Sequence, residues 1–215
     1  MSAYQPHASA TEALAALQPR GSVFVLTNGR FSLLDLLVAA LDKVGPADVR
    51  VSTWSAGIRD AEVVAALQAQ DRIRSVRLYV DKSMHRVNES NATTLVDLFG
   101  AEALRVCFVH AKMVALRAGD WRIVIRSSMN LNRNPRFEQA DIDDDPDLFG
   151  CVWAWFDEVD KHAVVGAECT DAQAGAALRA VAGGAPETTP PDLTPASEEA
   201  GILARLAARK IEWRT

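Results

Sequence analysis

The chain has 215 residues, of which 49% are hydrophobic, and this length and composition suit one globular domain with a buried core. No apolar run reaches the roughly 18 residues of a transmembrane helix, the N-terminal residues do not resemble a signal peptide, and three cysteines are too few for a disulfide framework. We therefore expect a cytoplasmic protein without stable membrane association. The net charge of −5 disfavours nucleic-acid binding through overall charge alone.

Apolar segments alternate with helix-like segments along the first half of the chain. Short apolar runs predict strands at residues 22–27, 49–54, 75–80 and 104–109, and helical periodicity predicts helices at 33–41 and 60–68. Strands separated by helical stretches of this length indicate crossover connections. The sequence therefore predicts a largely parallel α/β core.

The alternation of strands and helices ends after residue 109. Residues 110–116 and 121–127 are both strand-like, and the short connection at 118–120 contains a glycine, which is typical of a hairpin. If the loop comprises all three residues 118–120, His110 lies opposite Ser128. The predicted fold class is thus α/β, with a mixed β-sheet sandwiched by helices and an antiparallel hairpin beside the parallel core.

The remaining segments define the predicted domain organisation. A helix is predicted at 147–164, and residues 182–195 are rich in proline, glycine and threonine, which is typical of a linker. The prediction is an N-terminal segment at 1–20, a main domain at 21–181, this linker, and a C-terminal helix at 196–215.

Four polar residues on the predicted hairpin carry suitable groups for phosphodiester chemistry. Side chains two apart on a strand share a face, so His110 points with Lys112, and Ser128 with Asn130. An imidazole can attack phosphorus, and ammonium, hydroxyl and amide groups can donate hydrogen bonds to phosphoryl oxygens. No metal site or cofactor site is predicted. The convergence of the four groups depends on the register of the hairpin.

These residues also resemble a known motif. The pair His110-x-Lys112, followed after a hairpin by Ser127-Ser128-Met129-Asn130, resembles the HKD motif of the phospholipase D superfamily. The polar tract that leads on to Glu138 and the upstream α/β order resemble the same family, over residues 21–165. The resemblance implies that His110 forms a phosphohistidine, that Lys112, Ser128 and Asn130 hold the phosphoryl oxygens, and that Glu138 orients an imidazole.

The chain departs from the family pattern in two places and contains one copy of the motif. Arg117 stands where the motif has aspartate, and Ser127 stands in place of glycine. Family members with one copy, which resemble small bacterial and phage endonucleases, join two identical subunits at one site. The resemblance therefore implies a homodimer in which one His110 attacks and the other protonates the leaving oxygen.

The charge layout around the motif favours a nucleic-acid substrate. Between residues 105 and 136 Asp120 is the one acidic residue among many basic ones, whereas an acidic tract follows Glu138. The predicted substrate contacts are Arg126, Arg133, Arg136 and His85, although ordinary solvated side chains explain these residues equally well. The predicted activity is that of a metal-independent nuclease acting on DNA more than on RNA. The alternatives are a nucleic-acid-binding protein of the same fold with weak or lost activity, and a phospholipid phosphodiesterase.

Overall fold

A computed structural model describes residues 7–84, 89–133 and 135–183. The described residues up to Ala182 belong to one compact unit. The predicted linker at 182–195, beyond its first two residues, and the predicted helix at 196–215 lie outside the described residues. Within those described, no helix has the length and hydropathy needed to cross a membrane.

The described chain contains helices, strands and one 3-10 turn. In chain order they are α1 (Ala10–Ala16), β1 (Ser22–Leu26), α2 (Leu33–Val44), β2 (Ala47–Thr53), α3 (Ile58–Ala69), β3 (Ile73–Asp81), α4 (Glu89–Phe99), the 3-10 turn (Ala101–Ala103), β4 (Leu104–Cys107), β5 (Lys112–Ala118), β6 (Trp121–Ser127), β7 (Gln139–Asp144), α5 (Pro146–His162), β8 (Val164–Val165) and α6 (Asp171–Val181).

The strands form one mixed sheet in the order β1-β7-β6-β5-β2-β3-β4-β8. The parallel pairs are β2-β3 and β3-β4, and every other pair is antiparallel. The parallel part is therefore smaller than the sequence predicted. The reason is that β1 does not join β2, but lies at the other edge and pairs with β7.

Helices cover both faces of the sheet. Residues of α1 to α4, among them Leu14, Leu37, Val64 and Leu95, pack on one face, where Val114 and Ile125 point. On the other face, Phe149 and Phe156 of α5 pack against Ala115 and Val124, and α6 packs beside α5. Neighbouring strand residues enter opposite layers because side chains alternate along a strand. The predicted class, a mixed sheet sandwiched by helices, is confirmed.

The hairpin register differs by one residue from the prediction. Ala118 pairs with Trp121, so the loop contains two residues, Gly119 and Asp120, rather than three. Gly119 has a positive φ of 51°, which glycine adopts without strain. Lys112 consequently lies opposite Ser127, and His110 lies before the first residue of β5 rather than within the strand.

Strand β7 falls in the acidic tract that follows Glu138. Its inward side chains, Ala140 and Ile142, are buried on the face that α1 to α4 cover. Of its acidic residues, Asp143 pairs with Arg126 at 3.0 Å. The buried Asp144 accepts hydrogen bonds from the backbone N–H of Arg20 at 2.9 Å and of Arg122 at 2.8 Å. These partners allow acidic residues to occupy a strand inside the sheet.

Candidate active site

Five neighbouring strands bring their ends together at one end of the sheet, here called the site end. Strands β1, β2 and β6 run in one direction, and β5 and β7 run in the other. The last residues of the first three therefore meet the first residues of the other two. The residues at or next to these ends are Thr27, Thr53, Trp54, Lys112, Ser127, Ser128 and Glu138.

His110 and Lys112 are in direct contact at the site end. Lys112 Nζ lies 2.8 Å from His110 Nδ1 and 3.2 Å from Nε2, so the ammonium donates to the imidazole. The imidazole is exposed to solvent, and its ring centroid lies 6.0 Å from that of Trp54. A phosphoryl group that approached His110 would therefore meet the ammonium of Lys112 at the same time.

A buried carboxylate fixes the backbone just before His110. Asp81, the last residue of β3, accepts a hydrogen bond from the N–H of Val109 at 2.9 Å and from the N–H of Ser83 at 2.8 Å. Its side chain is buried, and hydrogen bonds to a buried carboxylate are among the stronger ones in proteins. Our sequence reasoning missed Asp81, although an aspartate that ends an apolar strand was an available signal.

Ser128 and Glu138 are hydrogen-bonded to each other. The Ser128 hydroxyl donates to Glu138 Oε2 and accepts from the N–H of Gln139 at 3.1 Å. Within the described residues Glu138 makes no hydrogen bond to the His110 of its own chain, and the implied role of Glu138 in orienting an imidazole stays a prediction. Burial lowers the pKa of Lys112, while the charge of Glu138 raises it, and the net shift is downward. Glu138 is thus close enough to influence the charge of Lys112.

The loop that carries Asn130 is attached to the end of β2. The buried Thr53 hydroxyl donates to the carbonyl of Ser55 at 2.7 Å, accepts from the N–H of Leu131 at 2.9 Å, and lies 3.4 Å from Asn130 Oδ1. The N–H of Gly57 donates to the carbonyl of Leu131 at 2.7 Å. These bonds hold the amide of Asn130 beside Trp54 at the site end.

A small cavity lies beside these groups; Asn130 and Glu138 line it, whereas His110, Lys112 and Ser128 do not. Its volume is about 170 Å³, several times the roughly 30 Å³ that one water occupies in the liquid. The residues that line it are Ser32, Trp54, Ser55, Met129, Asn130, Asn132, Arg136 and Glu138. The cavity offers amide, hydroxyl and guanidinium donors, which are the groups that bind phosphoryl oxygens.

The structure separates the residues that were predicted to contact substrate. Arg136 lines the cavity, and Arg133 lines a larger groove next to it. Arg126 is not at the cavity, because alternation along β6 places it on the opposite face of the sheet, where it pairs with Asp143. His85 lies outside the described residues.

The departure from the motif at Arg117 lies far along β5 from His110. The Arg117 guanidinium approaches Asp48 at 3.3 Å and stacks over the ring of Trp153 at 4.6 Å. It faces the layer of α5, whereas Lys112 faces the layer of α1 to α4. Arg117 therefore contacts Asp48 and Trp153 on the face of the sheet opposite to that of Lys112. Among the described residues, no three His, Cys, Asp or Glu side chains are placed to hold a metal ion.

Comparison with solved structures finds a similar fold in NucT and weaker similarity in two further proteins. NucT from Helicobacter pylori superposes with a TM-score of 0.51 at 15% identity, over 68% of this chain and 98% of NucT. Polyphosphate kinase from Porphyromonas gingivalis gives 0.45 at 15% identity, over 75% of this chain and 27% of the kinase. The archaeal chromatin protein TrmBL2, whose structure shows a novel mode of DNA binding, gives 0.42 at 12% identity, over 69% and 54%.

No family model matches the chain, and no curated protein matches it. At 15% identity the likeness to NucT establishes the fold and not the activity. The mixed α/β fold class predicted from the sequence agrees with this likeness.

Proposed function

We propose that the protein is a phosphodiesterase, and specifically a nuclease, in which His110 is the nucleophile. The observation that carries this proposal is the contact of 2.8 Å between Lys112 Nζ and the exposed imidazole of His110 at the site end. Ser128, Asn130 and Glu138, the other residues of the proposed catalytic set, lie around the same strand ends. The proposal needs no metal ion, because the chain's own donors supply the positive charge.

The proposed reaction has two steps. The imidazole of His110 attacks phosphorus, the N–P bond forms, and the bond from phosphorus to the leaving oxygen breaks as that oxygen takes a proton from an acid. Water then attacks phosphorus, loses a proton to a base, and the N–P bond breaks. Lys112 and Asn130 donate to the non-bridging oxygens in both transition states, and Ser128 joins them when its hydrogen bond to Glu138 opens.

A second imidazole is needed to protonate the leaving oxygen. The sequence contains one His-x-Lys pair, so we propose that two copies of the chain join at their site ends. Phe137, next to Glu138, is 90% exposed, and Trp54 beside His110 is 38% exposed. These aromatic side chains provide apolar surface that a symmetric contact between two copies would bury.

Nucleic acid, and DNA before RNA, is the proposed substrate. Arg133 and Arg136 lie near the cavity, whereas the acidic residues from Asp143 to Asp147 lie at the other end of the sheet, where β7 ends and β1 begins. A polyanion therefore meets basic side chains at the site end and is repelled from the far end.

The test is cleavage of labelled single- and double-stranded DNA and RNA in excess EDTA. Wild type and the control variant His162→Ala, whose histidine is exposed on α5, should cleave, and His110→Ala should not. Cleavage by His110→Ala at the wild-type rate, or a strict need for a divalent metal, contradicts the proposal. Vesicles of phosphatidylcholine form a second arm, and hydrolysis of lipid but not of nucleic acid would reject the nuclease.

A second candidate is a nucleic-acid-binding protein without turnover. The observation that favours it is the hydrogen bond from the Ser128 hydroxyl to Glu138, because a hydroxyl that donates to Glu138 cannot donate to a phosphoryl oxygen. Such a protein would shift labelled DNA with a steep dependence on salt and leave it intact in the same assay.

A further inference from the structure

A groove larger than the cavity lies beside the candidate active site. It has a volume of about 1020 Å³ and runs between the N-terminal ends of α2 and α3. Ser32 and Asn132 line both the groove and the cavity, so the two spaces are neighbours. A chain-like ligand that occupied the cavity would have a path into the groove.

Three arginines and two aspartates line the groove, so its basic side chains outnumber its acidic ones. Arg30, Arg59 and Arg133 line it, and we call it the arginine groove. The N-terminal end of α3 adds to this charge, because its N-cap residue, Gly57, makes no side-chain hydrogen bond to the first turn. By contrast, α2 is closed by a capping box between Ser32 and Asp35. The first-turn N–H groups of α3, which Gly57 does not cap with a side chain, favour an anion at that end.

The wall of the groove also contains a buried carboxylate, one oxygen of which has no hydrogen-bond donor among the described residues. Asp60 lines the groove and is 8% exposed, and its Oδ2 accepts no hydrogen bond from any residue that the structure describes. Burial and the nearby charge of Asp35 raise the pKa of Asp60, while Arg133 lowers it. A buried acceptor without a donor is unfavourable in the free protein. A ligand that brought an N–H group against Asp60 would give this carboxylate a hydrogen-bond donor.

A nucleotide carries both complementary groups. Its phosphate suits the arginines and the end of α3, and the edge of its base carries N–H donors. The apolar side chains of Phe31, Leu34 and Val63 line the same groove and suit the faces of a base. The base edge must be unpaired to reach Asp60, so the strand must be single.

We propose that the arginine groove binds one nucleotide of single-stranded nucleic acid next to the scissile phosphate, with its base donating hydrogen bonds to Asp60. This inference rests on the proposed function, since it concerns the same substrate. Guanine is the favoured base, because its N1–H and N2–H donors are adjacent. In adenine, cytosine and thymine the donor is flanked by an acceptor that a carboxylate repels.

The experiment measures binding rather than cleavage, in a His110→Ala background. Fluorescence anisotropy compares a labelled oligothymidylate with the same strand carrying one guanine at each position in turn. We expect about tenfold tighter binding for guanine at one position, as for hydrogen bonds to a charged group. Equal binding of all these strands overturns the inference, and this comparison needs no change at Asp60.

Two matched pairs of variants then assign the preference to the groove. Asp60→Asn should remove the preference for guanine, and Glu62→Gln, an exposed change of equal charge on α3, should keep it. Arg59→Gln should weaken binding of every sequence and reduce the salt slope by about one. Arg179→Gln, on the exposed surface of α6, should do neither. If the two variants of either pair bind the labelled strands alike, the preference does not arise in the arginine groove.

The two proposals fail in different ways. A guanine preference without cleavage in EDTA by wild type would reject the nuclease and keep the groove as a binding site. Cleavage without any base preference would keep the nuclease and reject the inference about Asp60.

Discussion

Lys112 is subject to two opposite influences on its charge. Burial lowers the pKa of its ammonium, and the carboxylate of Glu138 raises it, with a net downward shift. In the proposed reaction Lys112 acts as a cation, so activity should fall when pH rises through its pKa. The acidic neighbour therefore extends the working range of the site towards alkaline pH.

Replacing Glu138 by glutamine should move the alkaline limit of activity. The change removes the attraction that raises the pKa of Lys112, so the loss of activity should begin at a lower pH than in wild type. The measurement is the pH profile of cleavage from pH 6 to 10, with Glu168→Gln, an exposed acidic residue, as control. An alkaline limit that stays in place in Glu138→Gln would show that this carboxylate does not support the charge of Lys112.

The sequence predicted which residues form the candidate catalytic set, but it did not predict all of their hydrogen-bond partners. The spacing of His110 and Lys112 predicted a pair, and the structure brings the two side chains into contact. The bond between Ser128 and Glu138 could not be predicted, because it depends on where β7 begins. Asp81 was missed because its partner, the N–H of Val109, is 28 residues away in the chain.

At the scale of elements, the apolar strands were predicted well and the polar ones poorly. The prediction for β6 agrees with the structure residue for residue at Trp121–Ser127. No strand was predicted at β7, only an acidic tract. Its acidic residues make the alternation of apolar Ala140 and Ile142 with polar residues hard to recognise. The hairpin register was wrong by one residue because the position of Gly119 does not by itself fix the length of the loop. Helices α1, α4 and α6 were not predicted at all.

Replacing Thr53 by valine should loosen the loop that carries Asn130. Valine keeps the shape of threonine but removes the hydroxyl that bonds Ser55 and Leu131. We expect a loss of about 1–3 kcal/mol in the free energy of unfolding, the cost of leaving buried partners unpaired, together with slower cleavage. Urea denaturation and cleavage rates measure the two effects.

The neighbouring residue on β2 offers a matched control. The Ser52 hydroxyl is buried and has no hydrogen-bond partner in the described part of the chain, so Ser52→Ala should leave stability nearly unchanged. If Thr53→Val were as stable and as active as Ser52→Ala, the hydroxyl of Thr53 would have no part in holding the loop.

At the scale of the whole molecule, a cluster of basic residues and a cluster of acidic residues lie towards opposite ends of the sheet. The arginines of the groove and Lys112 lie towards the site end, and the acidic residues from Asp143 to Asp147 lie at the other. The net charge of −5 averages over these regions and so gives no information about the surface that would meet a polyanion. A dimer joined at the site ends would combine two basic surfaces around one substrate.

The proposed dimer makes activity depend on protein concentration. Each complete site needs His110 from both copies, so specific activity should fall on dilution as dimers dissociate. Analytical ultracentrifugation gives the mass under the conditions of each assay. Full specific activity in a sample that sediments as a monomer would reject the two-copy site, while leaving His110 as a candidate nucleophile.

The most direct measurement is to trap the bond between His110 and phosphorus. Wild type is mixed with a labelled single-stranded oligonucleotide, denatured under alkaline conditions that preserve phosphohistidine, and digested for mass spectrometry. We predict a nucleotide adduct on the peptide that contains His110, and none in His110→Ala. An adduct on another residue, or rapid turnover with no adduct at any time point, would contradict the central claim that this imidazole attacks the phosphodiester.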